Sequence, residues 1–517
     1  RRGCGCLGFC HPVNGQANIM AIRETDVLCG HIRGIAAGNP AVTAFKGIPY
    51  AEAPTGNNRW RPPIPKKPWS GTFDAVRFGN ICPQVIPQPG TFYHKEFFSY
   101  QHLETHHEDC LQLNIWTPAD SKSDNLPVLV FIHGGGFQTN YSFAPQFDGE
   151  LMAAQGIVVV TINYRLGLFG FLAHPDLRDE SPHGLAGNYG LQDQILALRW
   201  VRENIASFGG NPEQITISGG SAGASSVLML SACPLVKGWF QGAIMQSGPL
   251  LERNFSQSEA ENMGKALLER YGLYSIEDAR KVDASILCQY GPDLDRGESP
   301  FIQPCIDGVI LPEGVRDSLQ NGHLHDICYM VGCTNKEAWS MRNRFHATSE
   351  EIAHKLEHAY GHYSEAYQRV VKYSTDEEIY DFQLNHGFTE DMLAYCAAFC
   401  RMQSLHGRNP VYFYRLEREL PGDDAGAFHA SEHWYVFRTL DHCWRPFDGS
   451  DYQLAKAVSN YWANFIKNGD PNGGTLPVWT PYDRTSPAYM ALDVQSHMQP
   501  QVTNEAVDLR VKYYCGE

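Results

Sequence analysis

The chain has 517 residues, of which 43% are hydrophobic and 19% are charged, as is ordinary for a soluble globular protein. Its formal net charge of −16 argues against nucleic acid and anionic membranes as partners. It contains no run of about 18 or more apolar residues, so we predict no membrane span.

No Pro-, Gly- or Ser-rich linker and no charge block divides the chain. We therefore predict a single large domain over residues 20–517, although length alone would allow several. Residues 1–19 are rich in Cys and Gly and lack the apolar core of a signal peptide, so they are interpreted as a disordered leader or non-native extension before Met20. Without a signal peptide the cytoplasm is favoured, and secretion is the alternative.

Strand-like and helix-like patterns alternate along the chain. A helix over 189–208 has apolar residues near helical spacing, and Asn188 is placed to cap it. A late helix over 452–467 should stop at the glycine-rich segment 469–473. The predicted strands are 127–132, 157–162, 214–217, 243–246, 328–331 and 411–415. Strands separated by helices predict an α/β fold with a large, mostly parallel sheet covered by helices on both faces.

The segment Gly219-Gly220-Ser221-Ala222-Gly223 has the pattern Gly-x-Ser-x-Gly between a predicted strand and a helix. In that context the motif is typical of a nucleophile elbow, in which small neighbours hold the Ser at a tight turn. A second motif, His133-Gly134-Gly135-Gly136-Phe137, follows the strand 127–132. Backbone N–H groups of such a glycine run, with that of the residue after the Ser, form an oxyanion hole.

An acid and a histidine should follow later strands of the same sheet, because chemistry in such folds lies at the carboxyl ends of the strands. Glu337 follows the strand 328–331, with Asp326 the nearest rival acid, and His429 follows the strand 411–415. The order Ser, Glu, His is that of the α/β-hydrolases.

A possible metal cluster, His106-His107-Glu108-Asp109, is interpreted instead as a surface loop. Adjacent residues rarely share one metal ion, and no other residues supply zinc-ligand spacing. We predict that the protein needs neither a metal nor a cofactor and that its partner is a small-molecule ester substrate. The sequence does not indicate an oligomeric state.

Together these motifs resemble the type-B carboxylesterases, the family of carboxylesterases and cholinesterases. The similarity runs from about residue 20 to the C-terminus. Within the chain, the short aromatic stretch 443–447 is more similar to the bacterial carboxylesterases than to the animal cholinesterases. The matching stretches are 45–51, 108–116, 163–167, 187–193, 208–212, 246–248, 304–308, 429–432 and 464–471.

The resemblance implies an α/β-hydrolase fold with Ser221 as nucleophile, His429 as base and Glu337 as the acid that orients it. It implies oxyanion donors at Gly135, Gly136 and Ala222, and a supporting role for Ser247 and Gly220 beside them. The family also suggests two disulfides, Cys82–Cys110 and Cys396–Cys515, which would stay reduced in the cytosol. The implied substrate pocket includes Tyr100, Phe137, Glu298, Pro300 and Phe301.

Three departures from the family separate the chain from the cholinesterases. Gly220 stands where the family usually has Glu or Gln, Tyr100 replaces the choline-binding Trp, and 298–301 lacks a pair of bulky aromatics. We therefore expect a broad carboxylesterase, with short acyl, aryl and hydroxycinnamoyl esters open as substrates. A lipase acting on long acyl chains is the nearer alternative, and a catalytically silent binding module is the other.

Overall fold

The computed structural model of the protein describes residues 21–98, 105–252, 254–291, 302–344, 347–501 and 504–517. The predicted leader 1–19 lies outside these ranges and stays a prediction, as does the single-domain boundary at residue 20. No helix among the described residues is long and apolar enough to cross a membrane.

The centre of the fold is an 11-stranded sheet with the order β16-β15-β14-β13-β10-β9-β7-β8-β6-β4-β3. Neighbouring strands from β8 to β15 run parallel, and the pairs at both ends run antiparallel. The strands are β1 (Glu24–Val27), β2 (Gly30–Arg33), β3 (Ile35–Ala36), β4 (Thr43–Pro49), β5 (Thr72–Asp74), β6 (Gln112–Thr117), β7 (Leu126–Ile132), β8 (Val158–Ile162), β9 (Gly210–Gly220), β10 (Gly242–Gln246), β11 (Phe255–Ser256), β12 (Cys305–Ile306), β13 (Cys328–Thr334), β14 (Val411–Leu416), β15 (Ala488–Leu492) and β16 (His497–Pro500).

Helices connect the parallel strands. They are α1 (Glu150–Ala153), α2 (Gly167–Phe171), α3 (Pro175–Glu180), α4 (Tyr189–Asn204), α5 (Ala222–Ala232), α6 (Gln257–Arg270), α7 (Ile276–Lys281), α8 (Ala284–Leu287), α9 (Val315–Gln320), α10 (Ser349–Ala359), α11 (Ser364–Val370), α12 (Asp376–Asp381), α13 (Phe388–His406), α14 (Glu432–Val436), α15 (Gly449–Asn468) and α16 (Glu505–Cys515).

Both faces of the sheet are buried. Side chains of a strand point alternately to its two faces, and in β7 Val128 and Val130 enter one apolar cluster while Leu129 and Phe131 enter the other. Burial on both faces explains why the central strands are continuous apolar runs rather than alternating ones. The predicted mostly parallel sheet covered by helices is confirmed.

The structure corrects one predicted detail of the helices. Asn188 precedes α4 with a φ of 55°, but its side chain does not cap the helix. The Asn188 amide instead donates to the carbonyl of Cys305 and to Asp307 Oδ2, so the residue ties the start of α4 to β12. The late helix ends as predicted, at Gly469 with a φ of 69°.

Candidate active site

The candidate residues follow the carboxyl ends of five strands that are adjacent in the sheet. Gly135 and Gly136 follow β7, Ser221 follows β9, and Ser247 follows β10. Glu337 lies three residues after β13, and His429 follows β14 through a longer loop. Because the carboxyl ends of parallel strands share one edge, residues far apart in the sequence meet there.

Ser221 adopts a strained backbone conformation, with φ 55° and ψ −125°. Such a conformation persists only where its surroundings enforce it. A Cβ at Gly219 would lie 2.4 Å from backbone atoms of Gly223, and a Cβ at Gly223 would lie 2.1 Å from the carbonyl oxygen of Ile132. The Ser221 amide also donates to the carbonyl of Gln246 at 2.8 Å. Close backbone packing and this bond fix the turn.

The glycine loop after β7 packs directly against this turn. A Cβ at Gly134 would lie 2.4 Å from the Gly220 carbonyl oxygen, and one at Gly135 would lie 2.1 Å from that of Thr139. Gly135 and Gly136 have φ values of 106° and 62°, which favour glycine. The amide of Ala222 has no acceptor within its helix, because Ala222 is the first residue of α5.

His133, at the start of that loop, is a structural histidine. Its ring stacks on Tyr164 with 4.6 Å between ring centroids, and the Tyr164 hydroxyl donates to the His133 carbonyl at 2.8 Å. Burial lowers the pKa of His133 to about 4, so the ring is neutral at physiological pH. The contacts of His133 hold the loop in place.

A chain of hydrogen bonds joins Ser221, His429 and Glu337. Ser221 Oγ lies 2.8 Å from His429 Nε2, and His429 Nδ1 lies 2.5 Å from Glu337 Oε2. Burial alone would lower the pKa of His429, but the charge of Glu337 and its hydrogen bond raise the pKa above the ordinary value. The arrangement can move a proton from the serine hydroxyl to the imidazole and stabilise the positive charge that results.

Glu337 is fully buried and has two further donors. The Thr334 amide donates to Glu337 Oε1 at 2.7 Å, and Ser247 Oγ lies 2.6 Å from the same oxygen. These bonds orient the carboxylate toward His429. Ser247, predicted as a supporting residue, therefore acts on the acid through this hydrogen bond.

A second buried carboxyl, Glu432, lies at the end of the family-like stretch 429–432, and the sequence pattern alone indicates no role for it. Its Oε1 lies 3.0 Å from Ser247 Oγ and 3.4 Å from the Tyr414 hydroxyl. Burial, and then the charge of Glu337, raise the pKa of Glu432 to about 7. A hydroxyl has only one proton to donate, and Ser247 Oγ lies within hydrogen-bond distance of both carboxyl groups. When Glu432 is protonated, its carboxyl proton is donated to Ser247 Oγ. The Ser247 hydroxyl proton is then donated to Glu337.

The predicted pocket lies largely outside the described residues. Tyr100, Glu298, Pro300 and Phe301 fall there, and their roles stay predictions. Phe137 is described: it is only 5% exposed, and its ring packs edge-to-face on Phe171 at 5.1 Å. Most of the Phe137 ring therefore belongs to the core.

The two suggested disulfides are not formed in the structure, where all four cysteines are free thiols. Cys82 and Cys110 are buried neighbours, and the hydrogen bond that the Cys110 thiol makes to Cys82, followed by burial, raises the pKa of Cys110. Cys396 has Cys333 as its thiol neighbour. Both disulfides implied by the resemblance stay predictions.

The residues weighed as a metal cluster have other partners. Glu108 accepts two hydrogen bonds from the guanidinium of Arg59, at 2.6 and 2.7 Å, and His107 Nδ1 accepts from the Asp109 amide. Within the described ranges, no group of three or more His, Cys, Asp or Glu residues could hold a metal ion.

The carboxylesterase family model matches residues 21–510. The fumonisin B1 esterase of Sphingopyxis macrogoltabida is 34% identical, with 86% of this chain and 82% of that protein covered. The para-nitrobenzyl esterase of Bacillus subtilis is also 34% identical, covering 87% and 91%, and a human cocaine esterase is 32% identical, covering 95% and 91%.

Solved structures agree with the sequence relatives. A thermophilic PNB esterase is 31% identical and superposes with a TM-score of 0.82, covering 94% of this chain and 99% of that one. A Geobacillus stearothermophilus carboxylesterase is 32% identical with a TM-score of 0.76, covering 93% and 98%. The chain belongs to the carboxylesterase family, and it is a carboxylic ester hydrolase with the α/β-hydrolase fold. The predicted family is confirmed, and bacterial esterases are among the relatives.

Proposed function

We propose that the protein hydrolyses carboxylic esters through an acyl-enzyme, with Ser221 as nucleophile, His429 as general base and Glu337 as the orienting acid. The observation that carries this proposal is the 2.8 Å separation of Ser221 Oγ and His429 Nε2. That distance is within the reach required of a nucleophile and its base. Glu337 on the opposite ring nitrogen selects the tautomer in which Nε2 accepts the proton.

In the first half-reaction, His429 removes the Ser221 proton as Oγ forms a bond to the ester carbonyl carbon. The carbonyl oxygen becomes an oxyanion and accepts hydrogen bonds from the amides of Gly135, Gly136 and Ala222. The tetrahedral intermediate then expels the alkoxide, which His429 protonates to the free alcohol. In the second half-reaction, His429 deprotonates a water that attacks the acyl-enzyme, releasing the carboxylic acid and restoring Ser221.

Replacement of Ser221 tests the nucleophile directly. In Ser221→Ala, the burst of p-nitrophenol from p-nitrophenyl acetate should vanish, and kcat should fall by at least about 10³-fold. Ser231→Ala is a matched control, because Ser231 is a buried serine near the other end of the same helix and donates to the carbonyl of Val227. Comparable burst kinetics in Ser221→Ala and wild type would overturn the proposed mechanism.

The substrate range remains a proposal: a broad esterase that acts on short acyl, aryl or hydroxycinnamoyl esters. The named relatives act on unlike esters, so family membership does not select one of them. A panel of p-nitrophenyl esters from C2 to C16, with a few hydroxycinnamoyl esters, separates this proposal from a lipase. Highest kcat/KM at C12 or longer would favour the lipase.

The third possibility, a silent binding module, is disfavoured because serine, histidine and acid are all retained and hydrogen-bonded. We also propose that choline esters are not preferred, since Gly220 offers no negative charge beside the nucleophile.

A further inference from the structure

A second histidine lies buried beside the candidate nucleophile. His433, on α14, is 3% exposed, and its ring packs edge-to-face against Phe131 and Phe147, with ring centroids 5.7 and 5.2 Å apart. Burial, and then the nearby charge of His429, lower the pKa of His433 to about 3. The imidazole is therefore neutral throughout the range in which the enzyme would work.

His433 occupies the space that a side chain at position 220 would fill. A Cβ at Gly220 would lie 2.2 Å from His433 Nε2 and 2.3 Å from Cε1, well inside van der Waals contact. The next nearest atom, 3.6 Å away, also belongs to the His433 ring. The imidazole alone therefore excludes a side chain from the position before the nucleophile.

The backbone does not require glycine at this position. Gly220 is absent from the glycines with positive φ, unlike Gly135 and Gly136 in the facing loop. Its neighbour Gly219 is constrained differently, because a Cβ there would collide with backbone atoms of Gly223 and Ile132. Gly220 is thus required by one side chain, whereas Gly219 is required by the main chain.

In the part of the chain that the structure describes, only one side of the His433 imidazole has a hydrogen-bond partner, the backbone of Ala430. His433 Nε2 is buried and has no hydrogen-bond partner among the described residues. A buried polar atom without a partner destabilises the folded protein. The unpaired nitrogen is the ring atom that faces Gly220.

We propose that His433 is a specificity-determining residue that acts through Gly220: it keeps the position before Ser221 without a side chain, so that no carboxylate can lie beside the nucleophile, and esters without positive charge are the favoured substrates. This inference rests on the proposed function, because it concerns which esters Ser221 attacks. His433 touches Gly220 and not the reacting atoms, so it is a positioning residue.

A double-mutant cycle tests the steric part without reference to catalysis. Gly220→Ala should lower the melting temperature in the wild-type background, and the loss should disappear when Gly220→Ala is combined with His433→Ala. If His433→Ala does not fold, His433→Val provides the same cycle with less lost volume. Gly219→Ala is the matched control, and its loss should persist in either background because its collisions are with the main chain.

Selectivity tests the functional part. The measurement is the ratio of kcat/KM for butyrylcholine to that for its uncharged isostere, 3,3-dimethylbutyl butyrate. Wild type and His433→Ala should show no cation preference, whereas Gly220→Glu combined with His433→Ala should raise the ratio by about tenfold or more, as expected for a carboxylate close to a partly desolvated cation. Gly220→Gln with His433→Ala has the same shape without the charge and should not raise it.

Additive effects of Gly220→Ala and His433→Ala on the melting temperature would overturn the inference, as would an unchanged ratio in the Glu variant or a choline preference in wild type. Failure of the proposed function has a different signature: Ser221→Ala would retain hydrolysis while the stability cycle still reported coupling between positions 220 and 433.

Discussion

Replacing Glu432 by Gln should make the stability of the protein less dependent on pH. The Glu432 carboxyl is fully buried, and burial followed by the charge of Glu337 raises its pKa from 4.5 to about 7. A pKa higher in the folded than in the unfolded state means that the native protein binds the proton more tightly. The stabilisation of the folded protein by the protonated Glu432 carboxyl is therefore complete below the pKa that Glu432 has in the unfolded state. It is lost as the pH rises to the pKa that Glu432 has in the folded state.

The size of the effect follows from the separation of the two pKa values. At about 1.4 kcal/mol for each pH unit between them, ionising Glu432 in the folded protein costs about 3 kcal/mol. The unfolding entropy of a chain this long is about 1 kcal/mol per kelvin, so 3 kcal/mol corresponds to a shift of about 3 °C in Tm. Gln has nearly the same shape and stays neutral, so the variant avoids this loss.

Calorimetric Tm values of wild type and Glu432→Gln, measured between about pH 5 and pH 8.5, provide the assay. The difference, variant minus wild type, should increase by about 2 °C across that range, because part of the loss already occurs below pH 5. Glu390→Gln is a control of opposite sign: burial alone would raise the pKa of Glu390, but His386 and Arg510 lower it. Its ion pair is favourable at neutral pH, so that variant should be less stable than wild type there.

A constant Tm difference between Glu432→Gln and wild type from pH 5 to pH 8.5 would refute the reasoning. It would mean that Glu432 has the same protonation state in the folded and the unfolded protein over this pH range. The Gln amide can still donate to Ser247 Oγ, so hydrolysis of p-nitrophenyl acetate by the folded variant should remain close to wild type.

Three further outcomes are expected of the esterase reaction. The kcat/KM of wild type should fall as His429 becomes protonated, with a midpoint above pH 6.5 because Glu337 outweighs burial and raises the pKa of His429; a profile flat from pH 5 to pH 8 would contradict its role as base. Gly135→Ala should lower kcat by about 10²–10³-fold, because its Cβ would collide with the Thr139 carbonyl and move the loop; unchanged kcat in a folded variant would remove the loop from the mechanism. Ser247→Ala should lower kcat more than it raises KM, by about tenfold, since Glu337 loses a bond to a charged group worth about 1.5–3 kcal/mol; Ser231→Ala is the control, and a loss confined to KM would contradict a role in orienting Glu337.

The elbow could be predicted from the sequence because its causes are local. Small residues on both sides of Ser221 permit a turn whose φ is 55°, and the flanking strand and helix have their own periodicities. The glycine loop was predictable for the same reason. Glu337 and His429 needed one further rule, that parallel strands present their carboxyl ends together. The positions of the predicted strands along the chain then indicated which acid and which histidine follow them.

Only the tertiary structure revealed the groups that act through space. Glu432 and Glu337 are 95 residues apart, and their shared contact with Ser247 has no sequence pattern. The predicted Asn188 cap was wrong because Cys305 and Asp307, more than 100 residues away, take its side chain.

At Gly220, one part of the description follows from the sequence and another part follows only from the tertiary structure. Its presence before Ser221 could be read from the sequence, and so could the absence of a carboxylate there. That the buried imidazole of His433 requires this glycine followed only from the fold. Local conformation is set by neighbours in the chain, whereas the space and the charge around a buried group are set by whichever distant segments the sheet brings beside it.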